Sequence, residues 1–368
     1  MIALKRMLYS IFATTVLFVF PIGSVYSAEN PDAVALVIGN RVYTNSRVPQ
    51  VDFARRDALA FRQFLIDILG YRDQNIIVLH DATQAEMEGA LGNGRSYQGK
   101  LWQLVKSGKS DLTVFYSGHG APSLNDKKGY LLPIDVDPDQ TEINGYPIDL
   151  LVNNLAKLDS KSVTIYIDAC FSGDTPKGRL IRAASPISIV PVGTQVPSGM
   201  IMLTAGQGDQ VASWDTSHRQ GMFTYYLLEG LYGKADQPPF GTGDGAVTAT
   251  KLKSYLDEEM SYAVKREFGR TQTASLFMQA DRPLALFSNQ RPVQRRNLDE
   301  IGPSDKGDDE LWDEVKKQKN VIHYDEYLIA YPNGKHKDEA KAAIEKDMDE
   351  FSQHNRKNIE KYLNVDRR

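Results

Sequence analysis

The stretch VTIYIDACFSG, residues 163–173, holds the only cysteine of the 368-residue chain. Four of its first five residues, Val163, Thr164, Ile165 and Ile167 among them with Tyr166 between, are β-branched. The run climbs to Asp168, passes through Ala169-Cys170 and ends in the small pair Ser172-Gly173. An apolar run of this length bounded by turn residues reads as a buried strand. A single cysteine excludes an internal disulfide and any multi-cysteine zinc site. Taken alone, Cys170 is as easily a small buried hydrophobe as a nucleophile. A thiol attacks only as the thiolate, so chemistry at Cys170 requires a base or an electropositive setting.

A second stretch offers that base. DLTVFYSGHG, residues 111–120, is another strand that ends in glycines, with His119 between Gly118 and Gly120. Glycine on either side lets backbone approach a ligand, and an imidazole titrates near neutrality. His119 precedes Cys170 by about 50 residues, a separation seen between histidine and cysteine in one class of thiol enzymes. That interval has room for one helical crossover, YPIDLLVNNLAKLD at 146–159, which would make the two strands neighbours.

The rest of the chain extends the pattern. AVALVIG (33–39), NIIVLHDAT (75–83), GMIMLTAG (199–206) and RPLALF (282–287) read as further strands. Helical periodicity runs through 52–71, 84–107, 221–233 and 248–268. Strands alternating with helices predict an α/β fold with a mostly parallel sheet sandwiched by helices. In such sheets ligands gather outside the carboxyl ends of the strands. Both glycine-flanked motifs fall there, so they are read as one site.

The ends of the chain differ. Lys5 and Arg6 precede an apolar run, and small residues follow at Ser24, Ser27 and Ala28. This is the pattern of a signal peptide over 1–28, cleaved after Ser27 or Ala28, and it predicts a periplasmic or secreted protein with no membrane attachment after cleavage. Few residues then precede the first strand, which leaves no room for a regulatory prodomain. Residues 29–288 form the main domain, and 289–310, polar and rich in charge, read as a linker. Residues 311–368 read as a helical hairpin, similar to one tetratricopeptide-like unit, that docks on the main domain or on a protein partner. A net charge of −4 argues against a nucleic-acid partner.

SGHG followed by IDACFSG resembles the caspase–metacaspase superfamily of cysteine peptidases. ALVIGN at 35–40, ARRDALAFRQFL at 54–65, GYLLPID at 129–135, LTA at 203–205 and GMFTYYLLEGL at 221–231 fall in the family's order. The resemblance covers roughly residues 33–288 and implies a caspase-like fold. It implies Cys170 as nucleophile, His119 as its acid/base partner, and an oxyanion hole from the backbone N–H groups of Gly120 and Cys170. Asp168 stands where caspases carry Gln, and resembles the metacaspase and bacterial orthocaspase pattern of an acid in the S1 pocket. Asp57 matches a second pocket acid. Ala169 and Phe171 depart from the Ser and His common around metacaspase cysteines.

The resemblance therefore implies an endopeptidase acting on protein substrates with Arg or Lys at P1. Lys177, Arg179 and Arg182, in the stretch where caspases are cut into two subunits, are candidate autocleavage positions. No cofactor is required by the sequence. Calcium, which many metacaspases need, is compatible with it, with Asp174, Asp209 and Asp215 as acids near the site but no ligand set assigned. His218 lies in a loop within reach of the site. Two other readings stay open: a catalytically silent caspase-fold scaffold protein of the cell envelope, and a legumain-like Asn-specific peptidase suggested by HGAP at 119–122.

Overall fold

The structure is a computed structural model. It describes residues 29–123, 128–171, 174–175, 178–179, 196–207, 210, 212–288, 291–295, 308–318, 324, 327–328, 331, 334–344 and 346. The stretch 1–28, read above as a signal peptide, and Lys177, Arg182 and Asp209 lie outside these residues.

Six strands form the central sheet: β1 (Val34–Gly39), β2 (Ile76–His80), β3 (Asp111–Ser117), β4 (Ser162–Asp168), β5 (Met200–Thr204) and β6 (Ser275–Met278). Their spatial order is β6-β5-β4-β3-β1-β2. Every neighbouring pair is parallel except β5 with β6. Alternation along β1 divides the core. Ala35 and Val37 face one apolar cluster, and Val34, Leu36 and Ile38 face the other. The first cluster includes Phe61, Phe64 and Leu65 of α1 (Ala54–Asp67). The second includes Met87 of α2 (Gln84–Leu91), Leu101 of α3 (Lys100–Leu104), and Leu151 and Leu155 of α4 (Ile148–Ala156). Helices therefore cover both faces, as the α/β pattern predicts.

Three details differ from the sequence reading. The helix expected over 84–107 is two helices, α2 and α3. Gly92 closes α2 at a φ of +81°, a left-handed conformation that favours glycine. The strand expected at 282–287, seen as Pro283–Leu286, leaves the central sheet and pairs with Ala246–Thr248. Its place at the sheet edge is taken by β6, an antiparallel strand with half-buried side chains.

The long helical run 248–268 is α-helix over Ala249–Tyr255 and Ser261–Phe268, with a π turn at Leu256–Met260 between them. Beyond residue 307, Asp308–Gln318 and residues 337–344 are helical. Trp312, Val315, Tyr324, Tyr327, Ala340 and Ile344 form an apolar cluster of their own there. Among the described residues no helix is long and apolar enough to cross a membrane.

Helix α1 lies hard against the end of β1. A Cβ at Gly39 would sit 2.5 Å from the Ala54 carbonyl oxygen and 2.9 Å from Arg55 Cα, both backbone atoms that cannot swing aside. Gly39→Ala should therefore push α1 off the sheet and lower stability by about 1–3 kcal/mol. Gly89→Ala, in α2 with nothing within 4 Å, should raise it by about 0.5–1 kcal/mol. Denaturant unfolding of both variants checks the pair; equal effects would contradict this packing.

Candidate active site

The register of β3 on β4 places Ser117 opposite Asp168. His119 lies two residues past the first, and Cys170 two past the second. The Gly118 N–H donates to the Asp168 carbonyl across the gap (3.2 Å), so the chains stay joined as they leave the sheet. Gly120 then passes so close to the cysteine that a Cβ would meet the Cys170 carbonyl oxygen at 2.5 Å. A cleft lies outside these strand ends; Asp57, Ser117, His119, Asp168, Cys170 and Trp214 help to line it.

His119 is held by backbone and ring together. Its N–H donates to Tyr43 Oη (2.8 Å), and the two rings lie 5.1 Å apart. Its carbonyl accepts from Tyr116 Oη (2.7 Å) and from the Leu132 N–H (3.0 Å). Ring Nε2 lies 2.7 Å from the Pro49 carbonyl oxygen. A carbonyl only accepts, so Nε2 carries the hydrogen and Nδ1 is the basic nitrogen of the neutral ring.

Gly120–Pro122 pairs antiparallel with Gly129–Leu131. The hydrogen-bonded rungs are those of His119 with Leu132 and Ser123 with Lys128. By alternation, Gly120 opposite Leu131 is a non-bonded rung, and its N–H points away from that strand. Gly120 also lines the cleft. An N–H so placed can serve an oxyanion.

Cys170 Sγ accepts a hydrogen bond from the Ala212 N–H. Burial pushes the thiol up to about 12; the Ala212 bond and the Arg270 charge oppose that, and the Asp168 charge adds to it. In this state the sulfur is a thiol at neutral pH. The residues facing it are pinned from behind: Arg270 Nη2 donates to Ser213 Oγ (2.9 Å) and to the Ala212 carbonyl (3.3 Å), and Gln272 Oε1 accepts from the Ser213 N–H (2.9 Å).

The floor of the cleft is acidic. Asp57 and Asp168 are 1% and 6% exposed. Asp57 accepts from Ser117 Oγ (3.0 Å) and from the Gly221 N–H (3.1 and 3.3 Å to its two oxygens). Asp168 Oδ2 accepts from the N–H (3.1 Å) and Oγ1 (2.6 Å) of Thr224. Burial holds the Asp57 carboxyl well above the usual carboxylate range, and the Asp168 charge adds to this. Burial also pushes Asp168 up, to about 6, against the two Thr224 bonds.

The structure thus brings Cys170, His119, Gly120, Asp57 and Asp168 to one cleft. The remaining candidates are not among the described residues that line it. The side chains of Asp174 and Arg179 lie outside the described atoms, although their backbones pair in a two-residue ladder. Asp215 is engaged by Ser217 and by His218 Nδ1, and the His218 ring stacks on Tyr225 at 4.0 Å. Among the described residues no three His, Cys, Asp or Glu side chains gather to hold a metal.

Ser117, Thr224 and Gly221 escaped the sequence reading. All three stood inside motifs of that reading, SGHG and GMFTYYLLEGL, but nothing local marks them as acid partners. A Cβ at Gly221 would collide with Asp168 Oδ2 and lie 3.1 Å from Asp57 Oδ2. Gly221→Ala should therefore fill the space between the acids and lower kcat/KM for a basic-P1 peptide by about 100-fold or more. Unchanged turnover would show that the space is unused.

The thiol gives a second expectation. Iodoacetamide should modify Cys170 of the resting protein more slowly at pH 8 than it modifies free cysteine, with the rate still rising above pH 10. Mass spectrometry of pH-stepped reactions reads this; a rate that levels off below pH 8 would contradict a neutral resting thiol.

A family model described as the caspase domain matches residues 32–284. Among solved structures, caspase-1 from Spodoptera frugiperda is similar at 13% identity and a TM-score of 0.45, covering 68% of this chain and 89% of that one. No curated relative matches the chain. The domain match spans well over half of the chain, and the protein belongs to the caspase-domain family, with the fold of its cysteine peptidases.

Proposed function

We propose that this chain is a cysteine endopeptidase that cleaves after Arg or Lys through a thioester. The observation that carries the reading is the pair of buried carboxylates, Asp57 and Asp168, flooring the cleft that His119 and Cys170 border. A guanidinium pairs with carboxylates through charge-assisted, often bidentate bonds. A P1 Asp would instead bring a third negative charge into a desolvated pocket.

In the reaction, His119 Nδ1 takes the thiol proton as Sγ attacks the scissile carbonyl carbon. The Gly120 and Cys170 N–H groups stabilise the oxyanion. Collapse breaks the C–N bond, and the imidazolium gives its proton to the departing amine. Water, deprotonated by His119, then attacks the thioester; the new acid leaves and Sγ regains a proton. Residues 1–28 would direct the enzyme to the periplasm or the exterior. Calcium is a variable of its assay, without an assigned ligand set.

The test is kcat/KM on matched peptides with Arg, Lys, Asn, Asp or Ala at P1. Arg should exceed Asp and Ala by ~10⁴-fold, and Cys170→Ala should abolish turnover. Basic-P1 activity should fall as pH drops through about 6, because Asp168 protonates there and loses its pairing.

The stability sign is opposite. A buried acid whose folded pKa is raised loses stability as pH climbs from its unfolded pKa to its folded one, the full loss holding above the latter. Asp168→Asn should thus raise Tm by a few °C at pH 8 while lowering basic-P1 kcat/KM by about 100-fold or more. Preference for Asn would favour the legumain-like reading. No turnover, with no labelling of Cys170 by a peptidyl-Arg chloromethylketone, would favour the silent scaffold.

A further inference from the structure

The segment 291–295, inside the stretch that reads as a linker, lies against the back of the acid pocket. Its anchor is the end of the helix after the cysteine strands, α5 (Met222–Leu231). The Val293 N–H donates to the Tyr232 carbonyl (2.9 Å). Pro292 presses on Gly233, where a Cβ would meet Pro292 Cα at 2.8 Å. Two residues past Val293, Arg295 Nη2 donates to Gln220 Oε1, and its guanidinium lies 5.8 Å from the Tyr225 ring centroid.

Gln220 is 3% exposed and sits on the hairpin Trp214–Asp215/Gln220–Gly221. An amide has one accepting and one donating end. A guanidinium only donates, so Arg295 fixes the oxygen of Gln220 toward itself and turns the NH₂ the other way. There Nε2 lies 3.5 Å from Asp57 Oδ1, and the next residue supplies the Gly221 N–H to both Asp57 oxygens. The other strand of the hairpin is tied to the same ring: Asp215 holds His218, which stacks on Tyr225.

We propose that Arg295 is a positioning residue for the P1 pocket: by orienting Gln220 it presents N–H donors to Asp57 and keeps that carboxylate ready for a basic side chain. This rests on the basic-P1 reading above. Asp57 in its ionised form only accepts, so a Gln220 free to flip would set its oxygen against the carboxylate. The pocket would then favour the protonated acid, which pairs poorly with a cation. The role belongs to ground-state recognition of P1, not to bond breaking, so it acts on KM.

The experiment uses full-length enzyme with Arg295→Met, which keeps an unbranched apolar stem over Tyr225, and Arg295→Lys, which keeps a cationic donor. Arg295→Met should raise KM for a P1-Arg peptide about tenfold, the scale of one charge-assisted hydrogen bond, with kcat within about twofold. Arg295→Lys should recover most of the loss. Gln220→Met should show the same KM effect, and Arg295→Met/Gln220→Met should be no worse than Gln220→Met alone, because the two residues act in series.

Unchanged KM in Arg295→Met overturns the proposal. So do additive effects in the double variant, or a loss confined to kcat and Tm without rescue by Lys. A wild-type enzyme with no preference for basic P1 fails the reading of the pocket itself. Wild-type preference with unaffected variants fails Arg295 alone.

Discussion

The active cleft depends on one rung of the sheet, Ser117 opposite Asp168. Parallel pairing of β3 with β4 fixes that register over seven residues, from Asp111 with Ser162 onward. A slip of one residue would turn every side chain of a strand to the other face, and each of these strands is buried on both faces. Apolar packing therefore sets the alignment of the two chain segments that leave the sheet as His119 and Cys170. The same rung makes Ser117 a donor to Asp57 and puts Asp168 beside it. The His119 and Cys170 segments and the two acids are thus placed by one backbone rung.

Two carboxylates buried side by side are a burden on the fold. Both are pushed toward their protonated forms by burial, and each is only partly compensated by neutral donors from Ser117, Gly221 and Thr224. A core selected for stability alone would replace them with apolar groups. Their presence, with Gly221 leaving room between them, is a cost supported by the packed sheet beneath. The thiol follows the same logic, since burial favours its neutral form.

The wall of the cleft is irregular chain, yet it is not loosely held. Arg270 and Gln272 pin Ala212 and Ser213 from the approach to β6. Gln272 Nε2 in turn donates to the Ala205 carbonyl (3.1 Å) past the end of β5. Arg295 holds the neighbouring hairpin from a segment beyond the last strand. Three polar side chains, all distant in sequence from Cys170, thereby impose on loops a rigidity that the loops' own sequence lacks.

The sequence by itself determined the layered α/β fold, the two glycine-flanked strand ends and the placement of His119 and Cys170 beyond neighbouring strands. It could do so because hydrophobic period and turn residues are local signals, and a buried parallel strand writes itself as an unbroken apolar run. It left β6 unread: RPLALF carries a strand's composition as plainly as SLFM does, and only tertiary pairing chooses which of them joins β5. It merged α2 with α3, because the reversal at Gly92 depends on the chain at Ser96 and Tyr97 folding back against it. The tertiary structure alone decided the tautomer of His119, the neutral state of Cys170, and the donors that make Asp57 and Asp168 a pocket. Each of those rests on contacts between residues far apart in the chain, such as Asp57 with Gly221 or Cys170 with Ala212, and such contacts leave no periodicity or spacing for a sequence to display.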